Sequence, residues 1–276
     1  MTVRYYRVLS SALALCALAG CSSSESTPTS ETVDPQNPKP TIVLVHGAFA
    51  DASSWSGVIT RLEQRGYPVM APANPLRGLD ADAAALASVL KTIDGPLVLT
   101  GHSYGGMVIS KAAQENSAVK ALVYIAAFAP DTGESAGAIL GKFPAPKFSP
   151  DKLRMVPYTL PCGAGMGADT YIKTEAFHDL FAADVPESTA LVMAASQRPL
   201  EGAAIAANFI GTPAWKTVPS WALVARSDNM ISPDAERFMG QRAQAHVVEV
   251  DASHAVAVSH PDAVADLIVD AAHSVH

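Results

Sequence analysis

Cysteine is scarce in this chain, with three in 276 residues: Cys16, Cys21 and Cys162. Two fall at the very start, so the body of the chain holds a single thiol and can close neither an internal disulfide nor a cysteine-based metal site. Charge is also sparse, at 16 % of residues, and 26 acidic against 19 basic side chains give −7 without a long run of either sign. No basic stripe is present to neutralise a phosphate backbone, which excludes nucleic acid as a partner. Internal repeats are absent as well. Hydrophobic residues, by contrast, make up 49 %, enough for a sizeable core.

Arg4 and Arg7 precede an apolar stretch over residues 8–20 that is too short to span a bilayer, the pattern of a signal peptide. It ends Leu18-Ala19-Gly20-Cys21, which resembles the bacterial lipobox. That resemblance implies cleavage before Cys21, acylation of its thiol and a lipid-anchored protein on the cell envelope, with residues 1–20 as the signal. Residues 21–40 are Ser, Thr, Pro, Glu and Asn with little that is apolar, a composition that cannot offset its own ordering entropy. They read as a tether that could reach about 65 Å when extended.

A single domain is expected over residues 41–276. Short apolar runs at 41–45, 69–71, 97–100, 119–126, 221–225 and 247–250 alternate with amphipathic segments at 53–65, 81–93, 103–115, a helix opened by Ser232 and Pro233, and a last helix to about 272. This alternation predicts an α/β fold: a mostly parallel, doubly wound sheet with helices on both faces. Between residues 131 and 218 the rhythm breaks around prolines and glycines. An insertion there would form a helical lid over the strand ends, softened by Met155, Tyr158, Met166, Tyr171, Phe177 and Met193. Trp55 and Trp215 read as core.

The strongest chemical signal is Gly101-His102-Ser103-Tyr104-Gly105-Gly106, set between an apolar run and a helical stretch. A G-x-S-x-G string in that context is a nucleophile elbow, where a strained turn projects the serine hydroxyl and glycines spare the neighbouring backbone. Serine is a poor nucleophile at neutral pH and requires a base that is itself oriented by a carboxylate. His254 follows the 247–250 run at the sheet edge expected for the elbow. His260 reads instead as part of a helix start, and His46 as a residue that holds the first loop. Asp228, just after the 221–225 run, completes the order Ser103, Asp228, His254, with Asp131 as the rival carboxylate. Backbone amides of Tyr104 and of the loop after the first strand, Ala48 first and Phe49 second, are the candidate oxyanion donors.

The segments 46–55, 101–106, 227–229 and 253–254 resemble the α/β-hydrolase superfamily, in particular the small esterases that include salicylate and pyrethroid esterases and hydroxynitrile lyases. The resemblance covers about residues 41–272. It implies a cofactor-free, metal-free serine hydrolase with Ser103, Asp228 and His254 as catalytic residues and Ala48 and Tyr104 at the oxyanion hole. The lyase branch carries lysine directly after the catalytic histidine, where this chain has Ala255. A small uncharged carboxylic ester is the expected substrate. Two other functions would fit the same residues: a cofactor-free haloperoxidase or C–C hydrolase, and a catalytically inactive surface binding protein.

Overall fold

In the computed structural model, residues 39–160 and 164–275 are described. The signal segment, Cys21 with its expected lipid, most of the tether and Cys162 lie outside them.

The central sheet has six strands: β1 (Thr41–Val45), β2 (Val69–Met70), β3 (Leu97–His102), β4 (Val119–Ile125), and two late strands, Ser220–Ala225 and His246–Val250. Every pairing is parallel. The run Thr41-Ile-Val-Leu-Val45 is nearly all β-branched and buried on both faces, as a strand covered by helices on each side must be. Its alternate residues divide between two cores. Val43 and Val45 pack with α2 (Leu79–Leu90) and α3 (Gly105–Ala112), while Ile42 and Leu44 pack against α1 (Ser56–Gln64) and a C-terminal helix, Pro261–His273. Each fully covered Leu, Ile or Val side chain contributes about 1.5–3 kcal/mol relative to exposure.

β1 sits inside the sheet with β2 on one side and β3 on the other. The winding reverses there, and the loops leaving β1 and β3 open a crevice at the carboxyl ends of the strands. This is where the elbow and the first loop lie.

The segment between β4 and the Ser220–Ala225 strand holds α4 (Ala136–Lys142), α5 (Thr174–Phe181) and α6 (Glu187–Ser196). It also holds an antiparallel sheet of β5 (Leu153–Thr159), β6 (Met166–Ile172) and β7 (Leu200–Glu201), which the sequence did not announce. The reason is physical. β5 is an edge strand with most of its residues exposed and Pro157 within it, so it lacks the in–out alternation that marks a strand. In chain order the two late strands of the main sheet are β8 and β9, with α7 (Pro233–Arg242) between them, and α8 (Val256–Ser259) and α9 (Pro261–His273) follow β9. Ser232 precedes α7 and Pro233 opens it, but the serine side chain makes no cap hydrogen bond.

Candidate active site

β3 ends at His102, and Ser103 makes the turn into α3 with φ +55°, a left-handed conformation costly for a residue with a Cβ. Backbone bonds hold it there. Its amide donates to the Ile125 carbonyl (3.3 Å), and its carbonyl accepts from Gly106 (3.0 Å) and Phe128 (3.1 Å). Glycine is obligatory beside it: a Cβ on Gly101 would stand 2.6 Å from the backbone of Gly105, and one on Gly47 would stand 2.6 Å from the Ser103 Cβ. Gly47→Ala is therefore expected to lose about 1–3 kcal/mol of stability through overpacking, read as a lowered thermal midpoint, and to displace Ser103.

The loop after β1 is set by His46. Its Nε2 accepts from the Asn74 amide (3.0 Å), so Nδ1 carries the proton and donates to the Gly47 carbonyl (2.9 Å). Burial lowers its pKa and keeps the ring neutral. Phe49, at φ +61°, spends its amide on the Arg198 carbonyl (2.9 Å). Among the described residues neither the Ala48 amide nor the Tyr104 amide has an acceptor. Of the two candidate donors in this loop, the geometry leaves Ala48 free and Phe49 engaged. The Tyr104 side chain is anchored by its hydroxyl, which donates to the buried Asp82 (2.9 Å).

Asp228 and His254 meet below the crevice. The Asp228 side chain is fully buried, its Oδ1 accepts from the amides of Met230 (2.6 Å) and Ile231 (2.9 Å), and its Oδ2 accepts from His254 Nδ1 (2.5 Å). His102 connects this pair to the elbow: its Nε2–H donates to the His254 carbonyl (2.9 Å) and its ring lies 4.7 Å from that of His254. Burial, with His254 beside it, keeps the His102 pKa well below the usual value, so the ring stays a neutral donor. No hydrogen bond joins the Ser103 hydroxyl to His254 among the described residues, a looseness common before substrate tightens such a pair.

Asp131 is elsewhere. It pairs with Lys216 (2.6 Å), and although burial pushes its pKa up, that hydrogen bond, the Thr132 amide and the charges of Lys216 and Arg242 together hold it below the usual carboxylate range. The rival carboxylate is thus placed in a surface ion pair, away from His254.

Several contributors escaped the sequence reading. Phe181 of α5 packs edge-on against the His254 ring (4.9 Å), whereas Met155 and Met166 point outward and are 64 % exposed. The neighbours of Asp228 and His254 tie the inserted segment down: Asn229 Nδ2 donates to the Asp179 carbonyl (3.0 Å), and the Ser253 hydroxyl bonds the Asp184 carboxylate. Glu236 is buried on α7 beside Asp228. A glutamate one position from Ala235 and three before Met239 falls on the buried stripe of that helix, a signal visible in the sequence.

Comparison with known proteins agrees with this architecture. A pyrethroid hydrolase of Sphingobium wenxiniae is 26 % identical over 254 residues, 83 % of this chain and 86 % of that protein. Methylesterase 2 of Arabidopsis thaliana is 26 % identical over 226 residues, 75 % of this chain and 85 % of that protein. The solved structure of polyneuridine aldehyde esterase superposes with a TM-score of 0.71 at 21 % identity, covering 84 % of this chain and 98 % of that one, which speaks for the fold. The alpha/beta hydrolase family matches residues 42–267, and the chain, with its parallel sheet and serine elbow, belongs to that family.

Proposed function

We propose that this protein hydrolyses small, uncharged carboxylic esters through an acyl-enzyme on Ser103. The observation that carries the reading is the division of bonds at the site: Asp228 fixes His254 by Nδ1, while the other ring nitrogen, the Ser103 hydroxyl and the Ala48 and Tyr104 amides are left without partners among the described residues. These are the groups that acyl transfer uses.

His254 Nε2 takes the proton of Ser103 as Oγ attacks the ester carbonyl, and Asp228 stabilises the imidazolium. The Ala48 and Tyr104 amides receive the oxyanion, aided by the positive end of α3. His254 then gives its proton to the departing alkoxide, which leaves as the alcohol. Water repeats the attack with the same base and releases the acid. An apolar neighbour such as Phe181 and a net charge of −7 favour neutral substrates over anionic ones. The relatives named as pyrethroid hydrolase and methylesterase support the ester class.

A fluorophosphonate probe tests the reading directly, because fluoride leaves only when an activated hydroxyl attacks phosphorus. The expected result is one adduct, on the peptide holding Ser103, together with loss of p-nitrophenyl acetate turnover. An unlabelled protein, or an adduct elsewhere, would refute it, and would leave the binding-protein function standing.

A further inference from the structure

Two carboxyl groups lie buried together behind His254, and the mechanism above uses one. Glu236 is 3 % exposed, on the first turn of α7. Its Oε2 accepts from the Ala225 amide (2.9 Å), and the Ala225 carbonyl accepts in turn from the Asp228 amide (3.1 Å), so both acids are tied to the backbone of one residue at the end of β8. The two buried carboxyl groups are thereby neighbours, and the Asp228 charge adds to the cost that burial sets on ionising Glu236.

A count of donors decides where a proton must sit. Asp228 Oδ1 already receives two amides and Oδ2 receives His254 Nδ1, whereas Glu236 Oε2 receives one amide. The remaining oxygen, Glu236 Oε1, is fully buried and has no donor among the described residues. Two adjacent buried carboxylates cannot both stay ionised. A proton on Asp228 would face N–H donors, whereas Glu236 has an oxygen without a donor and a carboxylate for a neighbour. We propose that Glu236 is a positioning residue for Asp228, donating a carboxylic-acid hydrogen bond that fixes the carboxylate against His254.

Burial, reinforced by the negative Asp228, pushes the Glu236 pKa well above the carboxylate range. Arg237, the nearest cation on the same helix, acts weakly because its guanidinium is occupied by Glu249 and Asp234. The neutral acid adds no charge to the site. It leaves the Asp228–His254 pair with the single negative charge that the imidazolium of the reaction needs, and removes the freedom of Asp228 to turn toward α7.

This role rests on the esterase reading, and its test has an arm that does not. Infrared difference spectroscopy of wild type against Glu236→Gln at neutral pH should show the carbonyl stretch of an un-ionised carboxylic acid lost in the variant. Absence of that band overturns the proposal whether or not the protein turns over esters. In the kinetic arm, Glu236→Leu is expected to lower kcat about 10- to 100-fold, the worth of one hydrogen bond to a charged group, with KM little moved. Glu236→Gln, which keeps a donor toward Asp228 and an acceptor for Ala225, should recover most of that loss, with the acid limb of kcat/KM at its wild-type pH. An ionised Glu236 would instead have been stabilising protonated His254, and its removal would shift that limb to lower pH. Such a shift, or a Leu variant with wild-type kcat, rejects the role. Should the Leu variant fail to fold, the Gln variant and the infrared band still decide it.

Discussion

Replacement of Ser103 by alanine is expected to lower kcat toward p-nitrophenyl acetate by on the order of a millionfold, while the protein melts at its wild-type temperature. The two halves of this result have separate causes. The hydroxyl is the only atom lost, and it bonds nothing among the described residues, so its removal leaves no buried group unpaired. The left-handed backbone stays equally strained, because alanine keeps the Cβ. The oxyanion amides and the base remain in place but have no acyl acceptor to serve, so the residue of activity is that of positioned water. Ser103→Gly separates catalysis from strain still further: glycine adopts φ +55° without the Cβ penalty, and that variant should be as inactive as Ser103→Ala yet more stable by about 1 kcal/mol. Activity within tenfold of wild type in the alanine variant, after active-site titration to exclude contaminating enzyme, would remove Ser103 from the chemistry.

The fold was legible where hydrophobic pattern and topology agree. Runs such as residues 41–45 and 97–100 are short, largely apolar and rich in β-branched residues, as strands buried on both faces are, and the helices between them follow from their period. Ser103, Asp228 and His254 could be picked out as candidates because each follows such a run, and parallel strands deliver their carboxyl ends to one edge. The inserted segment was opaque for the opposite reason. β5 is exposed, carries a proline and pairs with β6, so its strand character rests on main-chain pairing with that neighbour and not on an alternation of buried and exposed residues. The order Ala48 before Phe49 could be proposed from the loop, but the reason Phe49 is engaged lies beyond it: its amide donates to the Arg198 carbonyl some 150 positions away. Glu236 lay in plain view on an apolar stripe, but a first-turn glutamate is also what a helix dipole attracts, and that simpler explanation conceals the buried pair.

The choice between the two candidate acids leads to the second large effect. Asp228→Asn is expected to reduce kcat about 10⁴-fold, whereas Asp131→Asn should leave it within about twofold. In the first variant the amides of Met230 and Ile231 still require an acceptor, and the carboxamide oxygen takes that place. The amide nitrogen then faces His254 Nδ1, two donors in opposition unless the ring exchanges its proton to Nε2. That tautomer presents an N–H to Ser103 where a lone pair is needed, so the base is silenced without being moved. The fully buried side chain also loses the charge that steadies the imidazolium. Asp131→Asn breaks a pair with Lys216 whose side chains are 29 % and 39 % exposed, worth less than about 1 kcal/mol, and touches no bond of the His254 ring among the described residues. Kinetics on the two variants, with the imidazole protons followed by NMR in the first, check both the assignment and its cause. Equal losses in the two variants, or an Asp228→Asn protein with its proton still on Nδ1, would contradict it.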